Sequence, residues 1–205
     1  FGKVARFNLT NFSTVEMLDL ADTQVTKVNG TVATPAVVDT DLKGFRGGFA
    51  SGDYGYVVPY YNASTEKFFG KVARFNLTNT NFSLTTVEVL DLATASVTKI
   101  NGDDSEANVV DINLKGFWGG FASGNYGYVV PYNNGENSPF GKVARFNLSS
   151  FSTVESLDLT ATDPDLKGFR GGFASGNYGY VVPYDNGSRF GKVARFDLAT
   201  FSIVE

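Results

Sequence analysis

The chain has 205 residues, 42% of them hydrophobic, with 19 Phe and a formal net charge of −4. That composition belongs to a globular chain, leaves no charged block to attract nucleic acid or an anionic membrane, and contains no apolar run of the ~20 residues that cross a bilayer. Cysteine and histidine are both absent, which removes disulfides, thiolate metal sites and the commonest general base and transition-metal ligand.

Taken in chain order, the predicted elements return to the same text. GKVARFNL at 2–9 is the first predicted strand, and TVEMLDL at 14–20 follows after an Asn/Ser/Thr-rich turn. A segment at 21–38 containing VTKVNG comes next, expected to add a hairpin on the rim. LKGFRGGFASG at 42–52 and YGYVVPY at 54–60 are two further strands, joined through Gly52-Asp53, a hairpin-turn dipeptide. An Asn-rich loop at 61–69 leads back to GKVARFNL at 70–77 and TVEVLDL at 86–92. The next turn of the pattern has an insertion at 93–110 with VTKING, then 114–124, 126–132, a loop at 133–140, 141–148 and 153–159. The last runs through 166–176, 178–184, a loop at 185–190, GKVARFDL at 191–198 and the truncated Ile203-Val204-Glu205.

Each string is short, rich in Val, Phe and Tyr, and bounded by Gly, Asn, Asp or Ser, which is the signature of a strand; no 3.6-residue period suggests a helix. Length variation fixes the turns. Arg6 to Glu16, Arg145 to Glu155 and Arg195 to Glu205 are ten positions apart, while Arg74 to Glu88 is fourteen, with the extra residues in TNTNFSLT. Insertions belong in turns, so Arg and Glu are expected to face each other across a hairpin.

Four antiparallel strands in a unit of about 50 residues match a propeller blade. The expected fold is therefore all-β, with tandem four-stranded propeller-like blades; an open β-solenoid array is the alternative. The chain divides into a half-blade at 1–20, an inserted linker at 21–41, a blade at 42–92, an inserted linker at 93–113, a blade at 114–159 and a last blade at 166–205. The diglycines Gly47-Gly48, Gly119-Gly120 and Gly171-Gly172 before an aromatic strand, and the [FY]-[DN]-L turn before V-E-x-L-D-L, resemble β-propeller repeats of the kelch type. The repeats also resemble uncharacterised tandem repeats of secreted algal and protist proteins. Closed propellers have about 4–8 blades, so the chain is expected to belong to a longer array or to associate head to tail.

Asp39 and Asp41, Asp111 and Asn113, and Asp163 and Asp165 stand directly before Leu-Lys-Gly-Phe. Paired oxygens two apart are a Ca²⁺ candidate, and an Asx-turn launching the strand is the plainer expectation. Lys43, Lys115 and Lys167, with Arg6, Arg74, Arg145 and Arg195, recur once per unit and are read as partners of equally regular acids rather than as the lining of an anion channel. Tyr54, Tyr56 and Tyr60 and their copies are expected to pack between sheets. Trp118 replaces Arg46 and Arg170 and is the aromatic singled out as an exposed ligand contact. The diglycines precede no helix, so they are not phosphate loops and are expected to allow close packing or a bulge.

Catalysis is not expected. Every acid on a predicted strand repeats in register, and the single-copy acids Glu66, Asp103, Asp104, Glu106 and Glu136 fall in variable loops. Asn-x-Ser/Thr sequons at Asn8, Asn11, Asn29, Asn62, Asn76, Asn81, Asn147 and Asn186 point to an extracellular or cell-surface glycoprotein. The functional expectation is a structural or adhesive component of an extracellular assembly or filament, whose partners are other copies or adjoining repeats. A lectin-like propeller binding glycans is the alternative, and a glycoside hydrolase the third reading. No cofactor is expected beyond the Ca²⁺ candidate.

Overall fold

A computed structural model describes residues 2–12, 14–105, 108–136 and 138–202; Glu106 and the string Ile203-Val204-Glu205 lie outside them. The protein is all-β. Its only helical pieces among the described residues are two single 3₁₀ turns, Phe82–Leu84 and Leu159–Ala161.

Strands β1 (Lys3–Phe7) and β2 (Val15–Asp19) form a two-stranded antiparallel sheet. Then come β3 (Gln24–Val28), β4 (Thr31–Val38), β5 (Phe45–Ser51), β6 (Tyr54–Pro59), the short hairpin β7 (Tyr61–Asn62) and β8 (Lys67–Phe68), β9 (Lys71–Asn76) and β10 (Val87–Asp91). Six of these make one sheet, ordered β4-β3-β10-β9-β6-β5. The second six-stranded sheet uses β11 (Ser96–Ile100), β12 (Val109–Val110), β13 (Phe117–Ser123), β14 (Tyr126–Pro131), β15 (Lys142–Asn147) and β16 (Val154–Asp158), ordered β12-β11-β16-β15-β14-β13. Finally, β17 (Phe169–Ser175), β18 (Tyr178–Pro183) and β19 (Ala194–Asp197) form a three-stranded sheet.

The four repeated strings are thus consecutive antiparallel strands, joined as the turn chemistry predicts. Gly52, Gly124 and Gly176 take φ of +54°, +55° and +58° at the β5–β6, β13–β14 and β17–β18 turns, a conformation glycine adopts without steric cost. The inserted hairpins attach to the sheet that follows them in sequence. After β2 the chain lays β3 parallel to β10, and after β10 it lays β11 parallel to β16. Asn29-Gly30 and Asn101-Gly102 turn these hairpins with positive φ at both residues, the geometry that Asn-Gly favours between right-twisted strands. Each Asn also fastens its hairpin to the next outer strand. Asn29 Oδ1 accepts from the Asp91 amide at 2.8 Å, and Asn101 Oδ1 from the Asp158 amide at 2.7 Å.

The cores lie between sheets, not within them. One joins Tyr56, Val58, Val72 and Leu90 of the first six-stranded sheet to Ala144, Phe146, Phe151 and Val154 of the second. The next joins Tyr128, Val130, Val143 and Leu157 to Val181, Ala194, Phe196 and Phe201. A third seats Leu18 and Leu20 against Ala73, Phe75, Phe82 and Val87. Each strand therefore alternates between facing the unit before and the unit after, which is why both faces of the middle sheets are apolar. Along the inner strands, Gly47, Gly119 and Gly171 bring the backbones of neighbouring units together: a β-carbon on Gly47 would stand 3.1 Å from the Gly119 α-carbon. At the same place the β5–β6, β13–β14 and β17–β18 ladders shift register, the bulge that a strand glycine permits.

Candidate functional site

The repeated arginines pair as the spacing predicts. Arg6 and Glu16, Arg74 and Glu88, and Arg145 and Glu155 are opposed residues of antiparallel ladders, with guanidinium–carboxylate contacts of 2.6, 2.6 and 2.7 Å. Arg195 and Glu205 would be the fourth pair, and Glu205 lies outside the described residues. The same guanidiniums also cross to the next unit. Arg74 Nη1 donates to the carbonyl of Leu148, and Arg145 Nη1 to that of Leu198 at 2.6 Å. Arg6 reaches the carbonyl of Asn79 at 2.9 Å. Each also lies over a ring of the next unit, at 4.8 Å for Arg6 on Phe82, and 4.4 Å for both Arg74 on Phe151 and Arg145 on Phe201. Arg74 and Arg145 are buried, and a buried charge is tolerable only when paired and hydrogen-bonded; here the second set of partners fixes the stacking of units.

The receiving ring sits in an unusual turn. Phe151 and Phe201 have φ of +47° and +53° and close a five-residue loop by donating to the carbonyls of Asn147 and Asp197 at 2.9 and 3.0 Å. In the longer turn at 77–86 a 3₁₀ turn delivers Phe82 instead. All three rings are buried.

The Asp-x-Asp/Asn candidates hold a cation of the protein's own. Asp39, Asp111 and Asp163 each accept the amide two residues on, at 3.1, 3.0 and 2.9 Å, which is the Asx-turn geometry. Their other oxygens take Lys71, Lys142 and Lys192 at 2.6, 2.7 and 2.8 Å, and Asp165 shares Lys192 at 2.9 Å. This holds the Asp163 carboxyl below its ordinary value. Asp41 and Asn113 contribute their backbone carbonyls to the Asn62 and Asn134 side chains. An ammonium thus stands at Asp39, Asp111, Asp163 and Asp165, four of the five carboxylates considered for Ca²⁺. Lys115 pairs instead with Glu136, at 2.7 Å.

The sequons differ in what their side chains do. Asn62 is 2% exposed, and its Nδ2 donates to the Asp41 carbonyl at 3.2 Å while Oδ1 accepts from the Ser64 amide. The Asn62 amide is thus engaged within the fold rather than presented to solvent. Asn134 and Asn186 make the same bond to the carbonyl 21 residues earlier, so Asn62 and Asn186 share one repeat position. Asn29 is the hairpin fastener already described. Asn76 and Asn147 accept backbone amides in the turn that Asp197 builds in the last unit. Asn8, Asn11 and Asn81 are exposed.

Tyr56 and Tyr128 are buried between sheets, stacked on Phe49 and Phe121 at 5.0 and 4.9 Å, and burial raises both phenol pKa values. Of the single-copy acids, Glu136 is paired with Lys115, and Asp103 accepts the Ser105 amide at 2.8 Å, which lowers its pKa. No three of the acids come together in a metal-holding group among the described residues.

Trp118 differs from the sequence expectation. It is half-buried rather than open, because the corresponding residues of the adjoining units close on it. Arg46 lies 4.6 Å and Arg170 3.7 Å from its ring centre. The edges of Tyr60 and Tyr132 meet it at 5.2 and 5.3 Å. Arg170 continues onto Tyr184 at 3.4 Å, and Arg189 covers the same ring at 4.0 Å. A column of alternating guanidiniums and rings therefore runs across the three inner hairpins, at the end away from the Gly52, Gly124 and Gly176 turns and beside the loops of variable length.

No protein-family model matches the chain, and no curated protein matches it. Among solved structures, that of apo AztD from Citrobacter koseri is similar at 12% identity and a TM-score of 0.38, over 97% of this chain and 54% of the other. The chain thus spans about half the length of that structure.

Proposed function

We propose that the chain is a structural or adhesive repeat protein of an extracellular assembly, with kelch-like blades that join further repeats of the same kind through its two end faces. One observation carries the reading: residues that are buried between units in the middle of the chain are exposed at its ends. Phe12 is 67% exposed, whereas Phe151 and Phe201, in the same repeat position, are 1% and 0% exposed. Phe7, Val15 and Met17 lie exposed beside it. At the other end Phe173, Val182 and Val193 are exposed, although Phe121, Val130 and Val143 at the same positions are buried. The first face matches what a unit presents to the one before it, and the second what a unit presents to the one after. Such a pair is heterologous and generates a ring or a fibre. Within this reading, N-glycans belong on the exposed sequons, of which Asn81 lies in a turn clear of the strands.

The test uses two variants, Phe12→Glu at one end and Val182→Glu at the other. In sedimentation velocity and electron microscopy the parent chain is expected to form species that lengthen with concentration, and each variant alone to stop. Mixing the two variants should give dimers and nothing larger, since only one productive contact remains. A parent chain that stays monomeric at high concentration, or variants that assemble unchanged, overturns the proposal.

A further inference from the structure

We infer that the arginine–aromatic column around Trp118 is a binding site for acidic glycans, holding their carboxylate or sulfate groups on Arg46, Arg170 and Arg189. The inference is independent of whether the end faces are covered.

The column differs from the arginine positions Arg6, Arg74 and Arg145. Arg6, Arg74 and Arg145 each have a glutamate, whereas Arg46, Arg170 and Arg189 have no carboxylate within ion-pair distance among the described residues. Aromatic rings stand against them instead. A guanidinium lying on a ring face keeps its N–H donors in its own plane, outside the stack. On Arg170 those donors are almost unused: Nη2 meets the Tyr132 hydroxyl at 3.5 Å, and the buried Nε has no acceptor. Arg46 and Arg189 are exposed, so their forks face solvent. Three cations in one row, short of acceptors, raise the local positive potential in a protein whose net charge is negative.

The ligand class follows from the same geometry. The two oxygens of a carboxylate, and any two oxygens of a tetrahedral sulfate group, can meet the guanidinium fork in pairs. Tyr60, Tyr132 and Tyr184 add hydroxyls and ring edges suited to a sugar, and a cleft of about 400 Å³ lined by Arg46, Tyr60, Tyr61 and Ala63 opens beside them. Nucleic acid fits less well. Its bases would need open ring faces, and the Trp118 indole is already approached by two guanidiniums and two tyrosine rings.

Calorimetric titration of the intact chain with polygalacturonate, dextran sulfate, neutral dextran and a single-stranded oligonucleotide tests the site. Binding of one or both acidic polymers, with neutral dextran silent, is the expected result, and the two acidic arms separate carboxylate from sulfate recognition. The double variant Arg46→Gln/Arg189→Gln alters two exposed side chains and gives up their contacts with the Trp118 and Tyr184 rings, so it should stay folded with a modestly lower melting temperature while weakening that binding about tenfold or more, as loss of charge-assisted hydrogen bonds does. Lys3→Gln, distant in sequence from the column, should bind as the parent does. The inference is overturned if neither acidic polymer binds, if neutral dextran binds as well, if the oligonucleotide binds in preference, or if the double variant is indistinguishable from the parent.

Discussion

Gly119 lies backbone to backbone against Gly171: a β-carbon on the first would come within 3.0 Å of the α-carbon of the second. Side chains are absent here because the inner strands of neighbouring units approach too closely to admit one. Gly119→Ala is therefore expected to destabilise the chain more than Gly52→Ala. Both residues have positive φ, but nothing lies within 4 Å of a β-carbon on Gly52, so that variant meets only the backbone cost of about 1–2 kcal/mol. Thermal melts of the two variants rank them, and equal midpoints would show that the close approach is relaxed in solution.

Glu155→Ala should be among the most damaging single changes, by about 3–5 kcal/mol, because it leaves Arg145 buried without its counter-charge. Asp163→Ala removes an ion pair whose lysine is half exposed, and should cost far less, because solvent screens an exposed pair. Urea unfolding of both variants checks the contrast.

Phe151→Ala is expected to cost about 3–5 kcal/mol, as loss of a buried aromatic ring does, while Phe12→Ala should fall within about 0.5 kcal/mol of the parent. The two residues occupy one repeat position, and only the presence of a preceding unit distinguishes them. Similar losses in both would mean that Phe12 is already covered in the isolated chain.

Asp91 gives a pH dependence with a definite sign. Burial raises its pKa, against the opposing hydrogen bond from the Ala93 amide and the charge of Lys71. The folded state therefore holds the proton more tightly than the unfolded state. The associated stability is fully present below the unfolded value, about 3.9, and is lost as pH rises through the folded value. Asp91→Asn keeps an oxygen for the amide and cannot ionise. Subtracting its stability curve from that of the parent should reveal a parent deficit that grows upward from the ordinary carboxylate range and then levels off. A flat difference would place Asp91 in a solvated setting.

Trp118→Arg would restore the residue found in the other two units, and it is nonetheless expected to destabilise. Three guanidiniums would then neighbour one another, with the indole that now separates Arg46 from Arg170 removed. Cation–π contacts of this kind are worth about 0.5–2 kcal/mol, so a loss of that size, partly recovered at high salt, is the expected melt.

Much of the strand pattern and the Arg–Glu register was legible in the sequence, because both follow from a two-residue alternation and from turns that absorb insertions. The attachment of the 21–38 segment was not. Its β3 pairs with β10, more than sixty residues later, and nothing local to VTKVNG identifies that partner. The burial of Asn62 was not legible for a related reason: as a sequon it is a local string, while its buried amide answers to a carbonyl at Asp41. The comparison with Asn134, which makes the same bond without being a sequon, was the available signal. Trp118 was taken as exposed because Arg replaces it elsewhere. The column shows a different logic, in which one repeat position alternates between cation and ring so that neighbouring copies attract. That alternation exists only once the units are brought together.

The outermost strand of the first six-stranded sheet, β4, contains Pro35 where its ladder with β3 shifts register. Proline has no amide hydrogen to offer a passing strand, and a kinked border is a poor template for lateral aggregation. Sideways growth is thus discouraged at this border, while the apolar surfaces at the two termini remain free of any such guard. In the end-to-end assembly proposed above, this border would let the array lengthen without thickening on that side.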